Sequence, residues 1–306
     1  MIKPSRKRPK LKTYIDLFCG IGGFHVAASR LGMKCVFASD IDEHARQAYQ
    51  HNYGLLPHGD ITQVKASDVP DHDVLFAGFP CQPFSIIGAG KGFDDPRGTL
   101  FFEILRIAKA KKPQVLVLEN VRQLATRDNG DTINSIQAAL ESIGYTVEWK
   151  ILNALDFGLP QKRDRVIIIA SRKKLNFQWP TSLPRAKLKD VLEKKPGSKH
   201  FVSAAIRQRC AREHVAPYKP MIWHTNKSGN ISSHPHSCAL RANASYNYLL
   251  VDGKRRLTPR EMLRLQGFPE EFEIVCSDCQ TRKQAGNAVP VPMVEAVITE
   301  VQHANK

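Results

Sequence analysis

The stretch TYIDLFCGIGGFHVAASRLGMKCVFASDID, residues 13–42, carries two short apolar runs separated by a glycine turn and a helical period. TYIDLF (13–18) reads as a strand, and the glycines behind it allow a tight turn. GGFHVAASRLG (22–32) has apolar residues at helical spacing, and KCVFAS (34–39) reads as a second strand. Asp40 and Asp42 then stand at the start of a second helix, DEHARQAYQHN (42–52). A strand–helix–strand unit of this length predicts two parallel strands with a crossover helix.

The same alternation continues outward. DVLFAGF (73–79), QVLVLEN (114–120) and RVIIIAS (165–171) are short and almost wholly apolar, as strands buried on both faces must be. TLFFEILRIAKAKK (99–112) and TINSIQAALESIG (132–144) are amphipathic helices. The expected fold is α/β, an open doubly wound sheet with helices on both faces. The pattern breaks after about residue 172, and 172–252 is basic, His-rich and irregular. Regularity returns at LTPREMLRLQGFP (257–269), where Thr258 can cap a helix with Pro259 in its first turn. A last helix, PMVEAVITEVQHA (292–304), is apolar enough on one face to pack back on the first domain.

In such a sheet, ligands bind beyond the carboxyl ends of the strands. The glycine turn follows the first strand and Asp40 the second, and Asp60 in HGDIT is expected to close a third. Cys81 then follows the fourth strand and Glu119 the fifth. One crevice would hold a glycine loop, several carboxylates and a thiol. The loop reads C-G-I-G-G, without the full dinucleotide spacing and without a P-loop lysine. With a carboxylate placed for ribose hydroxyls, this favours an adenosyl ligand lacking a phosphate chain, of which S-adenosylmethionine is the common one. Cys81 lies between Pro80 and Pro83, whose rings stiffen the backbone around one thiol. From that stretch alone, a buried free cysteine and a positioned nucleophile both remain open.

The composition narrows the partner. Lys+Arg 45 against Asp+Glu 29 gives a formal charge of +16 over 306 residues, and the pI is about 9.6. So large an excess points to a polyanion, nucleic acid first. A membrane surface would need a basic amphipathic helix or a lipidation signal, and no apolar run approaches the roughly 18 residues of a span. The start, MIKPSRKRPKLK, lacks the apolar segment of a signal peptide and reads as a solvated tail, with phosphate contact as the alternative. Seven scattered cysteines fit a reducing, cytoplasmic setting. Cys276 and Cys279 form a lone CxxC with no second pair, so no metal site is expected.

DLFCGIGGF, GFPCQPFS, RGTLFFEI, LENV, QKRDRV, LTPREMLRLQGFP and GNAVPVPM follow one another in this chain. In that order they resemble the DNA (cytosine-5) methyltransferases of bacterial restriction–modification type. The resemblance covers both ends of the chain and skips roughly 172–252. It implies a Rossmann-like, S-adenosylmethionine-dependent methyltransferase fold, with a catalytic and cofactor domain at 1–171 plus 286–306. A smaller irregular target-recognition domain would occupy 172–252, and 253–285 would form a hinge segment with a supporting helix. The implied reaction is methyl transfer to C5 of a cytosine in a specific double-stranded DNA sequence, after base flipping, through a Cys81 adduct at C6. Glu119 would act at N3, with Arg163 and Arg165, alternating along an incipient strand, beside the base, Glu119 and the phosphate. Phe18, Gly20, Gly22, Gly23, Asp40, Ile41, Asp60, Leu100 and Asn287 would hold the cofactor. Ile41 stands where the family often has an aromatic residue, which leaves adenine an apolar wall without a stacking face. Segment 85–98 resembles the family's loop that closes over the base. Ser85, Ser228 and Arg241 are the implied DNA contacts, the last two within a base-reading stretch at 224–242. A monomer is expected, with a cognate restriction endonuclease sharing its site. Two alternatives stay open: a tRNA cytosine-5 methyltransferase, whose usual Cys-Phe-Thr signature is not visible, and a non-catalytic DNA-binding regulator, which would be expected to lose Cys81 or Glu119.

Overall fold

The computed structural model describes residues 10–80 and 99–305. Cys81, Ser85 and the segment 85–98 lie outside them. The chain divides into two compact units. The first comprises Met1–Leu152, Arg165–Thr181 and Val294–Lys306, and the second Asn153–Asp164 and Ser182–Met293. Residues 153–164 and 286–293 therefore cluster with the second unit, whereas the order of motifs had put them in the first domain.

The first unit is built on a six-stranded sheet. Its strands are β1 (Thr13–Leu17), β2 (Lys34–Ser39), β3 (Val74–Gly78), β4 (Val115–Val121), β5 (Thr146–Asn153) and, after the two-residue β6 (Gln161–Lys162) of the second unit, β7 (Asp164–Ser171). The order is β2-β1-β3-β4-β7-β5. The pairs β1–β2, β1–β3 and β3–β4 are parallel, and β7 runs antiparallel to β4. Ile15, Leu17, Leu75, Leu116 and Ile168 face a core shared with α3 (Thr99–Lys111) and α5 (Asp131–Ser142). The alternate residues Tyr14 and Phe76 pack with Phe24 of α1 (Gly23–Arg30), the Phe24 and Phe76 rings stacking at 5.0 Å. Apolar burial on both faces explains the unbroken apolar runs, and each such phenylalanine contributes about 1.5–3 kcal/mol. Strand β5, TVEWKILN, instead exposes Glu148 and Lys150 between partly buried neighbours, the alternation of an edge strand. The helix α2 (Glu43–Tyr53) is capped by Asp42, whose carboxylate accepts the Ala45 N–H at 3.2 Å.

The second unit holds a four-stranded antiparallel sheet. Its strands are β8 (Ile222–Thr225), β9 (Ile231–His234), β11 (Leu249–Val251) and β12 (Arg255–Arg256), in the order β12-β11-β8-β9. The two-residue β10 (Ser237–Cys238) pairs with β6 instead. After the short α4 (Gln123–Thr126) and α6 (Leu188–Val191), α7 (Ala204–Glu213) covers a small core of Val202, Cys210, Met221, Trp223 and Leu250. Residues 172–252 are thus more regular than their sequence pattern indicates. In α8 (Pro259–Gln266), Thr258 and Glu261 form a reciprocal capping box with Pro259 at the first turn. Fully buried Glu261 also takes a bidentate pair from Arg255 at 2.8 Å and the Glu193 N–H at 2.7 Å, tying the start of α8 to its surroundings. The last helices are α9 (Asp278–Asn287) and α10 (Val291–Ala304), and Val297, Ile298 and Val301 of α10 are buried.

Candidate active site

At the carboxyl end of β1 the chain turns through three left-handed residues, Phe18 (φ 56°), Gly20 (φ 54°) and Gly22 (φ 83°). A Cβ on Gly22 would lie 2.4 Å from the Tyr53 ring, so only glycine fits beneath the ring whose hydroxyl donates to the Ile21 carbonyl at 3.0 Å. Gly23 then opens α1. The Gly20 N–H donates to Asp40 Oδ2 at 2.7 Å, and the Asp42 N–H donates to Asp40 Oδ1 at 2.8 Å. Each oxygen of Asp40 keeps lone-pair capacity for a diol, and among the described residues nothing lies within 4 Å of where a Gly20 Cβ would stand. Beside it Ile41 is 76% exposed. A carboxylate held by backbone donors, an open glycine turn and a bare apolar side chain fit an adenosyl group. Burial raises the Asp40 pKa, partly offset by the two backbone hydrogen bonds.

Asp60 departs from the expectation that it ends a strand. It caps a single 3-10 turn, Ile61–Gln63, accepting the Thr62 N–H at 2.9 Å. Among the described residues, the strand-like pairing beside it is the isolated bridge between Ser39 and His58. Leu100 lies in the first turn of α3, half-buried. Asn287 is the last residue of α9 and belongs to the second unit.

Glu119 sits near the carboxyl end of β4, in register with Gly78 of β3. Its Oε1 is 2.6 Å from Arg165 Nε, and both side chains are nearly buried. The next residue, Asn120, is 2% exposed and donates to the Phe79 carbonyl at 2.8 Å, while its own oxygen accepts the Val121 N–H. This fixes the backbone two residues ahead of Cys81. The motif alone gave Asn120 no role, although a buried polar pair ending an apolar strand was its visible signal.

Arg163 and Arg165 do not alternate along one strand, because β7 begins at Asp164. Arg165 makes the contact with Glu119. Arg163, 1% exposed, donates within the second unit to the carbonyls of Leu240 (2.8 Å), Gly286 (2.9 Å) and Ala288 (2.8 Å). It ties the GNAVP turn to the CALRA segment, where a Cβ on Gly286 would stand 2.4 Å from the Ala242 nitrogen.

Among the described cysteines, burial pushes the thiols of Cys19, Cys210 and Cys238 up and takes Cys35 to about 11, so none of these four is a ready thiolate. Asp16, fully buried in β1, has neither carboxylate oxygen hydrogen-bonded among the described residues. Burial, then the Asp40 charge, raises its pKa well above the usual carboxylate range. Among the described residues no cluster of His, Cys, Asp or Glu could hold a metal ion, and no helix is long and apolar enough to cross a membrane.

In the second unit, Ser228 is exposed in the turn between β8 and β9. There Asn226 Oδ1 accepts the Asn230 N–H at 2.9 Å, and Gly229 has φ 86°. Arg241 is exposed, its guanidinium 4.8 Å over the Tyr248 ring.

A sheet of this order, with a glycine loop after β1 and a backbone-held carboxylate after β2, defines the methyltransferase class of α/β folds. Solved structures share it. Dnmt2 from S. pombe aligns with a TM-score of 0.72 at 23% identity, covering 94% of this chain and 97% of its own. The Entamoeba histolytica methyltransferase EhMeth aligns with a TM-score of 0.74 at 18% identity, covering 96% and 98%. The chain belongs to the C-5 cytosine-specific DNA methylase family, whose model matches residues 12–303. Type II methyltransferase M.NgoBI of Neisseria gonorrhoeae is 51% identical over 92% of this chain and 90% of its own length. Type II methyltransferase M.HaeII of Haemophilus aegyptius is 50% identical over the same shares. The protein is a DNA (cytosine-5) methyltransferase of the bacterial restriction–modification type, and its family implies S-adenosylmethionine as methyl donor.

Proposed function

We propose that the chain methylates C5 of one cytosine within a specific double-stranded DNA sequence, through base flipping and a covalent bond from Cys81 to C6. The observation that carries the reading is the Glu119–Arg165 pair, at 2.6 Å, beside the β3 end that leads into Phe79-Pro80-Cys81. Cytosine C5 is a weak nucleophile. Addition of the Cys81 thiolate to C6 turns the ring into an enamine, and C5 becomes nucleophilic. Glu119 holds a proton or hydrogen bond at N3, relieving the charge that addition puts on the ring. Arg165 holds Glu119 in position, and Asn120 fixes the backbone ahead of the thiol. S-adenosylmethionine, when bound, supplies an electrophilic methyl group. Asp40, through its backbone-held carboxylate, takes the ribose hydroxyls, and Ile41 lies against adenine. Phe18, Gly20, Gly22, Gly23, Asp60, Leu100 and Asn287 complete the cofactor contacts carried over from the family. Once C5 has taken the methyl group, its proton passes to solvent and Cys81 leaves C6 as the thiolate, which restores the aromatic ring.

In the second unit Ser228, at the hairpin tip, enters the space left by the flipped base, and Arg241 reads or grips the DNA beside it. Ser85 contributes from the Cys81 segment. The protein acts as a cytoplasmic monomer alongside an endonuclease that recognises the same site. Methyl transfer from tritiated donor to duplex DNA and to tRNA tests the reading, with bisulfite sequencing of the product. Label in duplex cytosine at one sequence is expected, and label confined to tRNA would overturn it.

A further inference from the structure

The second unit has a pocket lined by His200, Arg241, Tyr246, Arg256, Asp278 and Arg282, and of these only Arg241 has a part in the reading above. Arg256 lies 4.5 Å and Arg282 4.9 Å over the ring of Tyr246, which is 46% exposed. Each guanidinium is fixed at one end of the segment that carries Tyr246. Arg256 Nε donates to Asn247 Oδ1 at 2.8 Å, and Arg282 Nη2 donates to the Ala244 carbonyl. A third arginine, Arg241, stands over Tyr248 on the same pocket. Among the described residues none of the three has a carboxylate partner. The one carboxylate lining the pocket, Asp278, pairs with Lys199 at 2.7 Å.

Three guanidiniums line one pocket whose carboxylate, Asp278, is engaged by Lys199, so an anion there meets an excess of positive charge. Rings hold the guanidinium planes while leaving N–H edges free, the geometry that grips phosphate oxygens in pairs. We propose that Arg256 and Arg282, ordered on Tyr246, grip one backbone phosphate of the duplex. The inference rests on the DNA reading above and adds a contact that carries no sequence information. Both arginines come from elements that follow the base-reading stretch in the chain, Arg256 from β12 and Arg282 from α9. The grip therefore seats that stretch on the duplex instead of choosing bases.

The test measures binding of the full chain to two duplexes, one carrying the methylated site and one scrambled, between 50 and 300 mM salt, roughly the range over which counterion release is read. Arg256→Gln and Arg282→Gln should each weaken both duplexes by the same factor. Each should flatten the slope of log affinity against log salt by up to about 0.9, the value for one phosphate. The double variant should lose about 0.9 and not twice that, because both arginines share one phosphate. Arg256→Lys and Arg282→Lys keep the charge and should restore the slope. A slope equal to wild type in the glutamine variants, a loss confined to the cognate duplex, or a doubled loss in the double variant would each overturn the proposal. If wild type itself binds neither duplex, the DNA reading falls; if wild type binds and the variants match it, only the phosphate grip falls.

Discussion

Arg163→Met separates a structural from a base-contacting role for an arginine that the sequence placed at the reacting base. The guanidinium donates to three carbonyls at 2.8–2.9 Å in a site that is 1% exposed. Methionine fills a similar space and donates nothing. The Ala288 oxygen keeps the Gln266 amide at 3.2 Å, so the main loss falls on Leu240 and Gly286. Two charge-assisted hydrogen bonds at about 1.5–3 kcal/mol each give a cost of about 3–6 kcal/mol. That is a large share of the roughly 5–15 kcal/mol that stabilises a typical protein. Urea unfolding of the full chain should show an earlier midpoint, and hydrogen exchange should rise at 240–242 and 286–289. Methyl transfer should fall only as far as the folded fraction and DNA affinity fall. A variant with wild-type midpoint and protection but a collapsed single-turnover rate would refute the structural role and return Arg163 to the base.

Asn120→Ala removes the donor to the Phe79 carbonyl, and should cost about 1–3 kcal/mol and slow single-turnover methyl transfer while leaving cofactor affinity by equilibrium dialysis intact; an unchanged rate would show that this bond does not position the thiol. Asp16→Asn tests the buried acid. Because its folded pKa lies above the ordinary 3.8, the native state holds the extra proton and stability falls as pH rises through that window, by at most about 1.4 kcal/mol per pH unit. The asparagine variant should therefore gain on wild type with rising pH in urea titrations, and parallel pH profiles would contradict the assignment. Gly286→Ala drives a Cβ against the Ala242 backbone, and should cost about 1–3 kcal/mol or more and weaken cognate DNA binding; wild-type melting and binding would refute the close approach.

Most of the first unit was legible because its inner strands are buried on both faces and its glycine turn is local. TYIDL, VLFAG and VLVLENV announce themselves by apolar runs, and Thr258-Pro259 announces the start of α8 by its cap. Strand β5 was not read, since TVEWKILN alternates at an edge and carries no turn glycine of hairpin type. Helix α7, AAIRQRCARE, buries only Cys210, so it shows no apolar period. Asp60 in HGDIT was expected to close a strand, and an isolated bridge between Ser39 and His58 stands there instead. At the site, Glu119 was readable from its motif, whereas the partners of Arg163 lie 77 to 125 residues away, beyond any local pattern. The Arg256–Tyr246–Arg282 group is likewise assembled from three separate segments.

The central claim is cytosine C5 methylation through Cys81. A duplex with 5-fluorocytosine at the methylated position, incubated with the protein and S-adenosylmethionine, tests it most directly. Fluorine at C5 cannot leave as a proton does, so the final elimination is blocked. The account predicts a denaturation-resistant complex that forms only with donor present, with the modified base mapped by mass spectrometry to the peptide containing Cys81. Methylation of the unmodified duplex with no trapped complex on the fluorinated one, or equal trapping by Cys81→Ser, would contradict it.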